Sequence, residues 1–346
     1  MSRKISFLKY NCHKLNYKNY PLIYWTYLVV VLAVWFWFMI ENDKFYILQD
    51  NLAVMITMIF GSFIAGSSPE GSASVAYPIF TLYLGIIPDV ARNFAFAIQS
   101  IGMTAASIYI LNKKIPLDWN YIIYVTLGGL FGLVLGTYYL VPHVLPVYAK
   151  LIFVSLWLAF GIILFLENRK SQRVIFEKII DFRNMDIINL LVFGFIGGGI
   201  SSLFGTGINI FTFCFLVIYY KVNEKVATPS SIIIMTVETI AGFGLHGLIM
   251  QDIAEQTYDM WLSCIPIVIF FAPLGAYLVH KISRHTFTTF LYVIFFVQYI
   301  GAMIVIKPDF PKSMLSLGII IFGLIFFRYI SSLTRNPIHP VEKNNH

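Results

Sequence analysis

The 346-residue chain is 58% hydrophobic and only 12% charged, whereas a soluble globular domain is roughly 25% charged. Its mean hydropathy of +0.77, together with repeated apolar runs near the ~20 residues that a spanning helix needs, predicts an all-α, polytopic membrane protein. The net charge of +7 comes from basic residues between the apolar runs. That distribution is typical of the positive-inside rule and argues against nucleic-acid binding.

The cysteines and the N-terminus carry little chemistry. Cys12, Cys214 and Cys264 lie far apart without metal-ligand spacing, so we interpret them as inert thiols and predict no metal and no cofactor. Residues 1–21 are basic and polar for too long a stretch to form a signal peptide. We therefore expect a cytoplasmic N-terminal segment followed by a retained first transmembrane helix at 22–40.

Two apolar segments are too long for a single crossing. The apolar segments fall at about 22–40, 51–85, 91–111, 119–140, 147–166, 187–220, 227–249, 258–280, 287–306 and 313–330. At 1.5 Å per residue, 51–85 and 187–220 exceed one span. Both contain Gly/Ser-rich runs, at 61–74 and 194–207. Because helix breaks at membrane depth persist only where protein or water surrounds them, we expect each long segment to be a broken-helix hairpin.

Positively charged residues indicate how the long segments run through the membrane. The basic N-terminus is placed in the cytoplasm by the positive-inside rule. If each long segment enters and returns on one side, most Lys and Arg residues fall on the cytoplasmic side. A single crossing at 51–85 would instead put Lys113 and Lys114 outside. The hairpin interpretation is therefore favoured.

The hairpins determine the organisation of the whole chain. Each half, repeat 1 (51–166) and repeat 2 (187–306), then holds one hairpin plus three crossings, and an odd number of crossings puts the halves in opposite orientations. We predict an inverted repeat with hairpins entering from opposite faces, as in transporters whose substrate site lies at the repeat interface. The additions are an extra helix at each end (22–40 and 313–330), a cytoplasmic linker (167–186), for which an amphipathic surface helix is one option, and a cytoplasmic tail (331–346).

Residues in the breaks favour an anion site. Ser68 suits the N-cap and Pro69 the first position of a half-helix, and Gly205–Gly207 would open the opposing half-helix with Thr206 or Ser202 as its cap. Helix N-termini present free N–H groups and partial positive charge, so two of them pointing inward would bind an anion. The alternative is that Gly and Ser only allow close helix packing.

The predicted substrate site combines the breaks with the helix starts that follow them. Those starts are Arg92-Asn93, with Gln99 deeper in the same helix, and Ala227 to Ser231 in the second half. Arg92 either extends to the outer surface or contacts the substrate path. The candidate substrate-binding residues are Ser67, Ser68, Glu70, Gly71, Ser72, Arg92, Asn93, Gln99, Ser201, Ser202, Gly205, Thr206, Gly207, Thr228, Ser230 and Ser231.

Two carboxylates, Glu70 and Glu238, lie well inside apolar segments, where a charge is costly and by default functional. Because burial favours the neutral form of a carboxylate, either could carry a proton and couple it to transport. The alternative is a protonated glutamate that only bonds to a neighbouring helix. His246 lies near the end of its span and is interpreted as structural.

The breaks and the helix starts after them resemble those of the sulfite exporter TauE/SafE family, also called the toluene sulfonate uptake permease family. The second half is the closer match, with GFIGGGISSLFGTG at 194–207 and ATPSS at 227–231. The first half departs from the pattern at Pro69-Glu70 and at Arg92-Asn93. The resemblance covers about 51–306 and implies transport of sulfur-containing oxyanions or organic anions such as sulfonates, with proton coupling as an option.

Other functions remain open at this point. An intramembrane serine hydrolase would pair Ser201 with His246 as its base, which requires the two side chains to lie within hydrogen-bond reach. An anion channel or a non-transporting membrane scaffold also fits the composition. The expected partners are a small anionic substrate and the lipid bilayer of the cell membrane, with both termini cytoplasmic. The sequence leaves open the anion, the direction of flux, the coupling ion and homo-oligomerisation.

Overall fold

The computed structural model describes residues 20–72, 76, 79–169 and 175–332. The helices are α1 (Tyr20–Glu41), α2 (Ile47–Asp50), α3 (Leu52–Ser67), α4 (Pro88–Asn112), α5 (Trp119–Leu135), α6 (Pro146–Asn168), α7 (Asn184–Phe204), α8 (Ile208–Ile218), α9 (Glu224–Gly244), α10 (Glu255–Lys281), α11 (Arg284–Ile306) and α12 (Phe310–Ser332). Short π-helical segments extend α5 (Gly136–Leu140) and α9 (Leu245–Met250), and another lies between α3 and α4 (Ile79–Tyr83).

Nine helices within these ranges are long and apolar enough to cross a membrane. Eight coincide with the predicted single spans, and the ninth is α7, the first arm of the second predicted hairpin. The predicted all-helical, multi-pass class is therefore confirmed. The arms of that hairpin are unequal, since α7 has 21 residues and α8 has 11. Most of the predicted N-terminal segment (1–19) and of the tail (333–346) lies outside the described residues.

Each break is shorter than the Gly/Ser-rich run that predicts it. α3 continues through Ser67 and α7 through Phe204, so within the described residues the chain first leaves these helices at 68–72 and 205–207. The small residues before each break therefore stay helical, and their role has to be sought in packing.

Glycines on α5 and α7 allow the two helices to touch along their backbones. A side chain on Gly128 would collide with the backbone of Leu191, and one on Gly132 would collide with that of Phe195. Because these two pairs advance together along both helices, α5 and α7 run parallel. A side chain on Gly194, in the second Gly/Ser-rich run, would likewise collide with the backbone of Val125, so the close-packing interpretation holds for the helical part of that run.

Residues 175–183, the described part of the linker between α6 and α7, contain no helix. Phe176 pairs with Val222 in an isolated parallel β-bridge, and the Ile179 N–H donates to the Asp118 carboxylate at 2.6 Å. The surface-helix option is wrong for this segment because partners distant in sequence take up its backbone groups.

Candidate functional site

The two breaks meet in the interior of the protein. Gly71 in the first break and Thr206 in the second lie so close that a Cβ added to Gly71 would be 2.5 Å from Thr206 Oγ1. Gly71 (φ +75°) and Gly205 (φ +73°) both adopt the left-handed conformation that favours glycine. The first break thus contains one glycine with a positive φ, and the second contains two, since Gly207 has a φ of +154°. The two breaks are in contact.

Gln99 on α4 joins the two breaks through its side-chain amide. Its Oε1 accepts from the Ser72 N–H at 3.3 Å, and its Nε2 donates to the Gly205 carbonyl at 3.1 Å. The same nitrogen donates to the Ala95 carbonyl at 2.9 Å. Gln99 is 2% exposed, so one buried amide satisfies backbone groups from both breaks.

The helix start predicted for the first break is displaced along the chain. Ser68 is the C-cap of α3, and Pro69 lies in a turn. After the turn, the Ala76 N–H donates to the Ser72 carbonyl in a helical hydrogen bond. Ser68 and Pro69 therefore do not start a helix, because the positive φ of Gly71 interrupts any helix that would begin before it.

The second half-helix is capped by a residue that was not predicted to cap it. α8 begins after Gly207, and the Ile208 N–H donates to Ser201 Oγ at 2.9 Å. Thr206 and Ser202 donate to other acceptors. The cap comes from the preceding helix because the break is short, so the last turn of α7 lies beside the first turn of α8.

Glu238 on α9 contacts this capping serine. Ser201 Oγ donates to Glu238 Oε2 at 3.0 Å while it accepts the Ile208 N–H. Glu238 is 2% exposed, and its Oε1 has no hydrogen-bond partner among the described residues. The single hydroxyl proton of Ser201 is used on Oε2, so a proton on the carboxyl group would sit on Oε1.

Arg92 and Asn93 belong to a separate polar cluster. Arg92 Nη1 lies 3.2 Å from Asp89 and Nη2 lies 3.9 Å from Asp252, and Asn93 Nδ2 donates to the Asp252 carbonyl at 3.3 Å. His246 Nδ1 lies 2.9 Å from the Asp252 carboxylate. These five residues, the Arg92 cluster, join the start of α4 to the end of α9. Arg92 is itself 5% exposed, but its partner Asp89 is 74% exposed, so the covered guanidinium points towards carboxylates at the protein surface.

A cavity of about 220 Å³ opens at the other end of α9. Exposed Glu177 and His280 lie at its mouth, whereas buried Gly66 and Thr228 line its deeper wall. Thr228 Oγ1 has no hydrogen-bond partner among the described side chains and backbone groups. Gly66 lies shortly before the first break. This cavity, the vestibule, lies at the Lys225 end of α9, and the Arg92 cluster lies at the opposite end.

Several predicted site residues make their contacts elsewhere. Ser67, Ser202 and Ser231 donate to carbonyls of their own helices. Ser230 Oγ accepts from the Asp118 N–H at 3.0 Å, at the start of α5. The predicted residues that meet at the breaks are Gly71, Ser72, Gln99, Gly205 and Thr206.

Sequence reasoning overlooked one buried charge near the breaks. Lys150 on α6 is 4% exposed, and its Nζ lies 5.9 Å from the centre of the Phe153 ring. That ring packs against Phe204, the last residue of α7, at a centroid distance of 5.3 Å. A lone lysine inside the apolar segment 147–166 is the signal that could have identified it.

The proposed hydrolase pair is engaged in other contacts. Ser201 bonds to Glu238, whereas His246 bonds to Asp252 and stacks on Phe96 at 5.7 Å. Each side chain thus has its own acidic partner, and the geometry offers no support for a serine–histidine dyad.

A family model matches most of the chain. The model of the sulfite exporter TauE/SafE family matches residues 54–302, a stretch that includes both breaks and the helices that surround them. Neither the curated proteins nor the solved structures give a match to this chain. The family match spans the bulk of the chain, and the apolar helices provide the membrane spans that a transporter of this family needs. The chain therefore belongs to the sulfite exporter TauE/SafE family of membrane transporters.

Proposed function

We propose that this protein is a secondary carrier that moves small anions, such as sulfur-containing oxyanions, organic acids or sulfonates, across the cell membrane. The observation that carries the proposal is the contact between two helix breaks at Gln99, deep within a bundle of apolar helices. Paired breaks of this kind form the substrate sites of many secondary transporters.

The breaks supply neutral donors suited to an anion. α8 begins at the second break, and a helix N-terminus presents backbone N–H groups and partial positive charge. Hydroxyl groups lie close by on Ser72 and Thr206, and the Ser72 Oγ is buried without a hydrogen-bond partner among the described residues. We propose that the substrate occupies the space between the breaks and that the other predicted site residues line its route.

A cavity at one end of α9 and a buried polar cluster at the other end favour a carrier over a channel. The vestibule leads inward from the Lys225 end of α9, whereas the Arg92 cluster joins α4 to α9 at the other end. If the basic loops are cytoplasmic, as the positive-inside rule predicts, this conformation opens to the cytoplasm. A channel would need both ends open at once.

An inverted repeat accounts for the way each hairpin packs. In the second hairpin, α7 lies against α5 through Gly128. In the first, α3 lies against α10, where side chains on Gly66 and Gly275 would collide with the backbones of Ala272 and Phe63. Each hairpin thus packs against the second spanning helix of the other half. We propose repeats at 51–166 and 187–306, with hairpins entering from opposite faces and cytoplasmic termini.

Proton coupling is part of the proposal and assigns a role to Glu238. Its carboxyl group reaches the second break through Ser201. A protonation change at Glu238 would therefore alter the hydrogen bonding at the start of α8. Glu70, buried in the first break, is the other candidate.

Flux measurements in proteoliposomes test the carrier proposal. The panel is ³⁵S-labelled sulfite, ³⁵S-labelled sulfate, methanesulfonate and acetate, each measured with and without unlabelled anion on the opposite side. A carrier is expected to show saturable flux that the opposing anion accelerates, because the loaded site returns faster than the empty one. Flux that rises linearly with concentration and ignores the opposing anion would indicate a channel. No flux for the whole panel would refute the proposed substrate class.

A further inference from the structure

Lys150 is a buried cation inside a membrane-spanning helix and has no role in the function as stated above. It lies one turn into α6. A lysine near a helix end usually extends its ammonium group to the aqueous surface, but Lys150 is only 4% exposed. Ionisable residues held inside a membrane are costly and are by default functional.

Aromatic contacts connect Lys150 to the second break, and an electrostatic interaction connects it to a carboxylate in the first break. Its ammonium group lies over Phe153, which packs against Phe204 at the edge of the second break. Glu70, fully buried in the first break, is the carboxylate that acts electrostatically on Lys150. Glu70 also acts on Cys214 of α8, the helix that follows the second break.

We propose that Lys150 provides the positive charge of the anion site and that the Glu70 carboxylate is its internal counter-charge, displaced when the transported anion binds. This inference rests on the proposed carrier function and deepens it. In the empty protein, the negative charge of Glu70 lowers the cost of burying Lys150. In the loaded protein, the anion takes over that role.

The exchange of counter-charges couples the anion to a proton. When the anion binds to the Lys150 ammonium group, it displaces the Glu70 carboxylate. Glu70 is then buried away from its cation, and burial favours the neutral form of a carboxylate. The bound anion adds one negative charge to the site, and a proton taken up by Glu70 removes one. Among the described residues, the titratable groups that Glu70 acts on electrostatically are Lys150 on α6 and Cys214 on α8, whereas Gln99 and Met235, which lie against Gly71, do not titrate.

Substitutions at Lys150 test its contact with the anion. Lys150→Met removes the charge and keeps the length, so we expect KM for the transported panel anion to rise about tenfold or more, the loss of one charge-assisted hydrogen bond. Lys150→Arg keeps the charge and should recover part of that loss. Lys44→Met is the matched control, because Lys44 pairs with Asp259 in a partly exposed position. It should leave KM unchanged.

Glu70→Gln tests the exchange of counter-charges. It removes the competing negative charge while keeping the shape, so we expect KM to fall and to lose its dependence on pH. The double variant Lys150→Met with Glu70→Gln leaves no unpaired buried charge and should fold even where Lys150→Met alone does not. It should recover thermal stability while KM stays high. A double variant that recovers both stability and wild-type KM would show that the two residues are only a structural pair.

Failure of this inference can be told apart from failure of the carrier proposal. Saturable flux with a wild-type KM in Lys150→Met would overturn the role of Lys150 and leave the carrier intact. If the wild-type protein moves none of ³⁵S-sulfite, ³⁵S-sulfate, methanesulfonate and acetate, the carrier proposal fails for this panel and the inference falls with it.

Discussion

Gln99→Leu tests whether one amide holds the two breaks together. Leucine fills a similar volume but cannot accept from the Ser72 N–H or donate to the Gly205 carbonyl, which are 3.3 and 3.1 Å away in the wild type. A buried backbone group left without a partner costs about 1–3 kcal/mol. Two such groups therefore predict a loss of roughly 2–6 kcal/mol in the free energy of unfolding.

The matched control for this substitution is Gln298→Leu on α11. Gln298 is 8% exposed, and its amide nitrogen and oxygen have no hydrogen-bond partners among the described residues. Its replacement should be neutral or stabilising, because no partner is left unpaired. Thermal unfolding in detergent and anion flux in proteoliposomes provide the comparison. If Gln99→Leu unfolds and transports like Gln298→Leu, the amide does not join the breaks and our reasoning about the site is wrong.

Three further substitutions test the left-handed backbone at Gly205, the protonation of Glu238 and the closure of the protein at the Arg92 cluster. Gly205→Ala forces a side chain into a left-handed position against the Arg92 carbonyl, so thermal unfolding should show a loss of more than about 1 kcal/mol in the free energy of unfolding. Its control is Gly301→Ala, where the added methyl group meets open space, and this variant should not be destabilised. Glu238→Gln fixes the neutral state of that carboxyl group and should leave anion binding intact, while the dependence of flux on an imposed pH gradient falls to the part that Glu70 carries. Full retention of that dependence would make Glu238 structural and leave Glu70 as the carboxylate that couples the proton. Asp252→Asn weakens the contact with Arg92, so it should speed maleimide labelling of a cysteine placed beside the Arg92 cluster. An unchanged labelling rate would argue that the cluster does not close this end of the protein.

The positions of the breaks could be predicted from sequence to within a few residues, but their extents could not. Runs of Gly and Ser indicate both close packing and broken helices. Gly66 remains in a helix because it lies against α10, whereas Gly71 ends the turn with a positive φ. The two roles are distinguished by the neighbouring helix, and that neighbour lies far away in sequence.

Contacts between distant segments account for the rest of what the sequence did not predict. Gln99 could be named as a deep polar residue, but its bonds to both breaks depend on how the halves pack. Lys150 was overlooked because a single lysine hardly changes the hydropathy of an apolar segment. Residues 175–183 of the linker lack the optional helix because Phe176 pairs with Val222, a partner that local sequence does not reveal.

The central claim is that the anion site opens to one end of the protein at a time. Thr228→Cys in the vestibule and Asn93→Cys in the Arg92 cluster, each made in a cysteine-free background, report on the two ends. Their labelling rates with a membrane-impermeant maleimide are measured in proteoliposomes with and without ³⁵S-sulfite or the panel anion that supports the highest flux. We predict that the anion changes the two rates in opposite directions, because opening one end closes the other. Rates that rise together, or that do not respond to a transported anion, would contradict the account.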